Sequence, residues 1–194
     1  YSLAISSSGG TGTKTFSLTG TLQAGLSLNT STGTISGTPT EVSDKAVTVT
    51  VTDQASATAT TSSFTISIGK ASQSITFGAL SNKTMGTGTF TVSATASSSL
   101  TVAFTSATTG VCTVSSTTVT LVSAGTCTIN ADQAGNSYYS AATQVQQSFT
   151  VAAALTITTP NSGLSGTYNS SYSLAISSSG GTGTKTFSLT GTLQ

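Results

Sequence analysis

Few side chains in this sequence could do chemistry. Cys112 and Cys127 are its two thiols, Glu41, Asp44, Asp53 and Asp132 its four acids, and five lysines its cations, with no histidine in 194 residues. Each cysteine sits in a strand-like run, Val111-Cys112-Thr113-Val114 and Gly125-Thr126-Cys127-Thr128-Ile129. A disulfide, free buried thiols, a redox pair and metal ligands are the chemistries open to them. C-x-x-C spacing, which favours redox work, is missing here, as is the histidine that would complete a common zinc set. General acid–base catalysis needs a tuned group held among partners. Four scattered acids do not supply that arrangement, and no serine or threonine stands out with a base beside it. The expectation is that this is not an enzyme.

Three further features could bind. Tyr138 and Tyr139 are the one adjacent aromatic pair and a candidate glycan contact, a reading that exposure of both rings would strengthen. The Ser8–Gly12 stretch could cradle an anion, but a phosphate loop needs a helix N-terminus behind it; a hairpin turn is the plainer reading. Asp132, within Asn130-Ala131-Asp132-Gln133, reads as an Asx-type turn residue. Asn29, Asn82 and Asn169 each open an N-x-Ser/Thr triplet, a pattern that arises freely in a chain so rich in hydroxyls.

The elements that must position these groups are strands. Ala46–Val51, Phe64–Ile68 and Thr117–Leu121 alternate apolar with hydroxyl residues, so that one face packs while the other meets water. Threonine and valine suit the pleated surface, and clusters of Gly, Asn and Ser punctuate the runs. The fold class is all-β. Charged residues are 5% of the chain and net charge is +1, which offers no field to steer nucleic acid. No run approaches the ~18 apolar residues of a membrane span, so membrane insertion is not expected.

Residues 1–23 recur unchanged at residues 172–194, an offset of 171. Identity of that length marks a tandem repeat. Two modules fit the period: residues 1–69 form the first, lacking its initial strand, residues 70–154 form the second, and residues 155–194 begin the next copy of the first. Each approaches the ~100 residues of an immunoglobulin-like sandwich. The connections at Ile68–Ala71 and Val151–Ala154 are too short and too poor in Gly and Ser to act as flexible tethers, so a stiff rod is expected. Strands of ~7 residues at ~3.3 Å each then give ~70–80 Å per repeat, end to end. Leu155–Thr159 supplies the strand that the first module lacks. In a continuous array the preceding repeat provides it; among separate chains a neighbour could, by strand addition. The redundancy of the copied block favours the continuous array.

The stretch Gly25-Leu26-Ser27-Leu28-Asn29-Thr30-Ser31-Thr32-Gly33-Thr34-Ile35-Ser36-Gly37-Thr38-Pro39 resembles the signature of the Putative Ig family of bacterial surface proteins, related to the cadherin-like domains of dystroglycan. The Val47–Asp53 strand fits the same pattern. Residues 70–154 resemble a second, Cys-containing bacterial Ig-like group through Gln73–Phe77, Val111–Val114, Ala124–Ile129 and Gln147–Val151. Gly33 and Gly37 would serve turns, Leu26, Leu28 and Ile35 the core, and Pro39 the end of a strand.

These resemblances imply tandem immunoglobulin-like β-sandwiches in a secreted, extracellular or cell-surface protein. The implied role is a structural repeat of an adhesin stalk or extracellular filament, with neighbouring copies of the repeat as partners. A module that binds surface glycan or protein is the alternative. In a secreted β-domain, Cys112 and Cys127 read as one disulfide, with free buried thiols as the alternative. Cadherin-like modules also raise calcium, which takes about six to eight oxygens. Glu41, Asp44 and Asp53 are the candidate ligands, although a solvated turn beside Lys45 accounts for the first two. No other cofactor is implied.

Overall fold

The computed structural model describes residues 1–158 and 175–188. Strands carry the described chain and no helix forms among its residues. They fall into two compact units, Tyr1–Gln73 with Ala134–Ala141, and Ser74–Gln133 with the described part of Ala142–Gln194.

The first unit contains β1 (Ser2–Ala4), β2 (Thr15–Thr19), β3 (Leu26–Asn29), β4 (Thr34–Gly37), β5 (Ser43–Thr52), β6 (Thr58–Thr60) and β7 (Phe64–Ile68). One sheet runs β1-β4-β3; the other runs β2-β5-β6, and β7 also pairs with β5. Alternation along β5 turns Val47 and Val49 inward, where they meet Phe16, Ile35 and Ile66 in the core. Leu26 and Leu28 pack against this cluster, so the signature's apolar positions do face inward.

Glycine is required at two positions of that signature. Gly33 has φ +71°, and a Cβ there would stand 2.7 Å from the Phe16 ring and 2.8 Å from the Ile5 carbonyl oxygen. Gly37, at φ +140°, lies against the backbone of Gly25. The turn between β3 and β4 is closed by Asn29, whose Oδ1 accepts the N–H groups of Ser31 (2.9 Å) and Thr32 (3.1 Å). The sequence reading of Ser8–Gly12 as a hairpin turn is not what forms. Because β1 and β2 belong to different sheets, this loop is a crossover from one sheet to the other. Local composition marks a bend but cannot say which sheet receives the next strand.

The second unit contains β8 (Ile75–Phe77), β9 (Lys83–Thr84), β10 (Phe90–Thr91), β11 (Ala94–Ala96), β12 (Ala103–Ser106), β13 (Cys112–Ser115), β14 (Thr118–Leu121), β15 (Gly125–Asp132), β16 (Val145–Ala152), β17 (Thr156–Thr158) and β18 (Ser177–Ser179). Its sheets run β12-β15-β16-β9 and β10-β14-β13, with β8 paired to β11 and β17 to β18. Ile129, Ala131, Phe149, Val151, Val119 and Val92 lie in the core between them. Phe90 meets Phe149 edge-on with ring centroids 5.5 Å apart, a favoured aromatic geometry.

Asp132 is not the turn residue its neighbours suggest. It ends β15 opposite Ala103, and its carboxylate accepts the Gln144 side-chain amide at 2.7 Å. It therefore serves a strand end, where partners distant in sequence override the local turn preference.

Candidate functional site

The cysteines form the one covalent device of the described chain. Cys112 leaves β13 and Cys127 leaves β15, strands of two different sheets. Period two points both side chains into the core, where each is fully buried. They are joined as a disulfide with Cα atoms 5.7 Å apart and a sequence separation of 15. Around it stand core partners: Cys127 opposes Phe149, and Cys112 opposes Leu121. The Ser106 hydroxyl lies 3.4 Å from Cys112 Sγ. The bond thus ties the two sheets together through the middle of the unit.

The first unit has no such bond and uses a buried amide instead. Gln23 is 1% exposed, and its Nε2 donates to the carbonyls of Ser43 (2.9 Å) and Ile66 (2.7 Å). One side chain outside the strands therefore holds β5 and β7 at one end of their pairing. Its Oε1 is buried without a partner. Sequence reasoning missed this residue, since nothing in Leu22-Gln23-Ala24-Gly25 separates a buried glutamine from an exposed one.

Asp53 and Glu41 are each engaged in their own local structure, whereas Asp44 is exposed. Asp53 Oδ2 accepts the Thr11 N–H at 2.7 Å, while Oδ1 accepts those of Ala55 (2.9 Å) and Ala57 (2.8 Å). The Thr11 bond, followed by that of Ala57, holds its pKa below the ordinary aspartate value. Asp53 thereby fastens the Ser8–Gly12 crossover to the turn after β5. Glu41 pairs with Lys45 at 3.1 Å and accepts the Ala24 N–H and the Ser43 hydroxyl. Lys45 is the main cause of its lowered pKa, with the Ala24 N–H next. Asp44 and Lys45 lie on β5, so the solvated turn read across them ends at Val42. Glu41, Asp44 and Asp53 do not fit a calcium cage. Their oxygens are spent on N–H and ammonium donors or point outward, and no metal-holding cluster occurs among the described residues.

Tyr138 and Tyr139 belong to the first unit. Ala71 donates to the Tyr138 carbonyl at 2.8 Å, and Ser140 donates to that of Ala71 at 2.9 Å. Asn136 Oδ1 caps the turn by accepting both tyrosine N–H groups. Tyr138 is 52% exposed and Tyr139 half-buried, so one ring of the pair is offered to solvent. Beside them is a cleft of about 470 Å³ lined by Pro39, Glu41, Val42 and Ile68. Asn29 and Asn82 both use their side-chain oxygens internally, Asn82 accepting the Thr150 N–H at 2.8 Å. Asn169 lies outside the described residues.

Residues 1–69 match the family model of the Putative Ig domain. The match covers the strands, the glycine turn and the core just described for the first unit. Among solved structures, the chain is similar to human protocadherin-24 EC1-2 at 14% identity and TM-score 0.37, over 72% of this chain and 82% of that one. Drosophila N-cadherin EC1-3 is similar at 10% identity and TM-score 0.34, over 73% and 56%. The extracellular domains 3-5 of Drosophila OTK are similar at 15% identity and TM-score 0.28, over 79% and 58%. No curated protein matches the chain. The unit that this model matches and the disulfide-tied unit are both all-β.

Proposed function

We propose that this chain is a structural repeat of an extracellular fibre or adhesin stalk that spans distance at a bacterial cell surface. The observation carrying this reading is the unchanged recurrence of residues 1–23 at 172–194. Tandem modules each bury their own core and reach outward by addition. The molecule's chemistry agrees. A disulfide across the core suits an oxidising exterior, and a surface made of hydroxyls stays hydrated with little charge. The partners in this reading are neighbouring copies of the same repeat. The test is the mass of the native polypeptide, fully denatured and reduced. Hundreds of kilodaltons are expected for a covalent tandem array, and a mass near one repeat would overturn that form of the proposal.

Tyr138 supports a second reading, a surface that binds glycan or protein. Its exposed ring stands beside the Pro39–Val42 cleft, and glycan sites commonly set an aromatic face beside polar groups. Binding to a glycan array that is lost in Tyr138→Ala, with the fold intact, would favour this reading over a purely structural one.

A further inference from the structure

We infer that the groove beside Ser6–Ser8 in the first unit is the seat of a β-strand with the sequence Leu155–Thr158, donated by another copy of this chain's own sequence. The inference takes its donor from the repeat reading above, but it stands on a pairing present within the chain. Residues 172–194 duplicate residues 1–23, so Ser177–Ser179 are the equivalents of Ser6–Ser8. In the second unit those serines have a partner. Thr156, Ile157 and Thr158 run antiparallel to them, opposite Ser179, Ser178 and Ser177. Gly181 N–H donates to the Ala153 carbonyl at 3.0 Å, and Gly180 packs so closely on Ala154 that a Cβ would strike its carbonyl oxygen.

The same sequence in the first unit is open. Among the described residues no hydrogen bond engages Ser6, Ser7 or Ser8, and Gly9, the equivalent of Gly180, has nothing within 4 Å of the place a Cβ would occupy. A groove of about 260 Å³ runs alongside, lined by Ile5, Phe16, Val49, Val51 and Ala59. A second hollow of about 130 Å³ continues it past Gly9 and Gly10. The far bank is β6, whose three residues are all exposed. The place is apolar at its floor and has unpaired backbone along its rim, which is what an added strand requires.

The donor segment has the matching pattern. Leu155 and Ile157 are 57% and 61% exposed, and period two puts them on one face. Ile157 lies opposite Ser178, the equivalent of Ser7, and Ser7 is the half-buried member of its triplet. Directly opposed residues share a face of the sheet. Carried over in the same register, Ile157 therefore enters the groove over Val49 and Val51, and Thr156 stays outward.

Backbone amide exchange tests the assignment on the whole 194-residue chain. In one arm a synthetic peptide of residues 153–171 is titrated in. In the other, a second copy of residues 153–171 is fused ahead of Tyr1, reproducing the order in which residues 153–171 precede Tyr172. The expected result is that exchange at Ser6–Ser8 slows by about ten-fold or more in the fused chain, and that Ile157→Asp in the added segment removes the effect. Val47 and Val49 amides report that the unit stays folded. Slowing in the fused chain alone supports seating from within one polypeptide. Slowing by the free peptide as well supports donation between molecules. No slowing in either arm, or an undiminished effect with Ile157→Asp, overturns the inference. None of these readouts depends on the native mass, so the two proposals fail separately.

Discussion

Breaking the Cys112–Cys127 bond should lower the stability of one unit and leave the other alone. The bond closes a 15-residue loop, worth about 3 kcal/mol in the chain-entropy model. At roughly 4–8 °C per kcal/mol for a unit of about 60–100 residues, the second unit should melt some 12–24 °C lower when reduced. Both sulfurs are fully buried, so reduction needs prior unfolding in denaturant and refolding under a phosphine. Calorimetry of oxidised and reduced chain then compares two transitions, assigned by exchange mass spectrometry. Cys112→Ser should act in the same direction, and its new hydroxyl has Ser106 within reach. The first unit, which contains no cysteine, should not move. Equal shifts in both transitions would refute the separation of the two cores. A shift in the second below about 2–4 °C, equivalent to ~0.5 kcal/mol, would refute the stabilising role of the bond.

Other perturbations address the first unit. Ile35 is fully buried, and Ile35→Ala should cost about 2–5 kcal/mol, read as a lower urea midpoint in that unit only. Gly33→Ala should cost at least the ~1–2 kcal/mol of a left-handed non-glycine residue and more from contact with Phe16, with near-ultraviolet dichroism reporting the disturbed ring. Gln23→Leu removes the donor to the Ser43 and Ile66 carbonyls and should cost roughly 1–3 kcal/mol, with faster amide exchange along β7 as its signature. Asp53 and Glu41 have pKa values lowered by folding. Their stabilisation is therefore complete above the usual carboxylate range and is lost as pH falls through the depressed values. The urea midpoint of the first unit should drop in acid, and Asp53→Asn should flatten that dependence.

Much of this was legible in residue order because period-two patterning is local. β5, β7 and β14 appear where apolar and hydroxyl residues alternate, and the turn at Gly33 sits where a Cβ has no room. What stayed hidden depends on partners remote in sequence. Composition places a bend at Ser8–Gly12 but does not show that β1 and β2 leave for different sheets. Asp132 has the company of a turn, yet Ala103 and Gln144 draw it into a strand. Gln23 becomes a clasp only once β5 and β7 lie beside it. The tyrosine pair was visible as a pair, but residue types do not announce the unequal exposure of its members.

The cross-sheet bond bears on how this polypeptide would yield if pulled from its ends. Tension that strips the second unit apart can straighten the backbone only up to the joined sulfurs. The 15-residue span between Cys112 and Cys127 stays shut, withholding on the order of 50 Å of extension at ~3.3–3.6 Å per residue. A reducing environment would release it. Oxidation therefore sets a shorter, stiffer limit on how far the molecule can be drawn out before its covalent backbone takes the load.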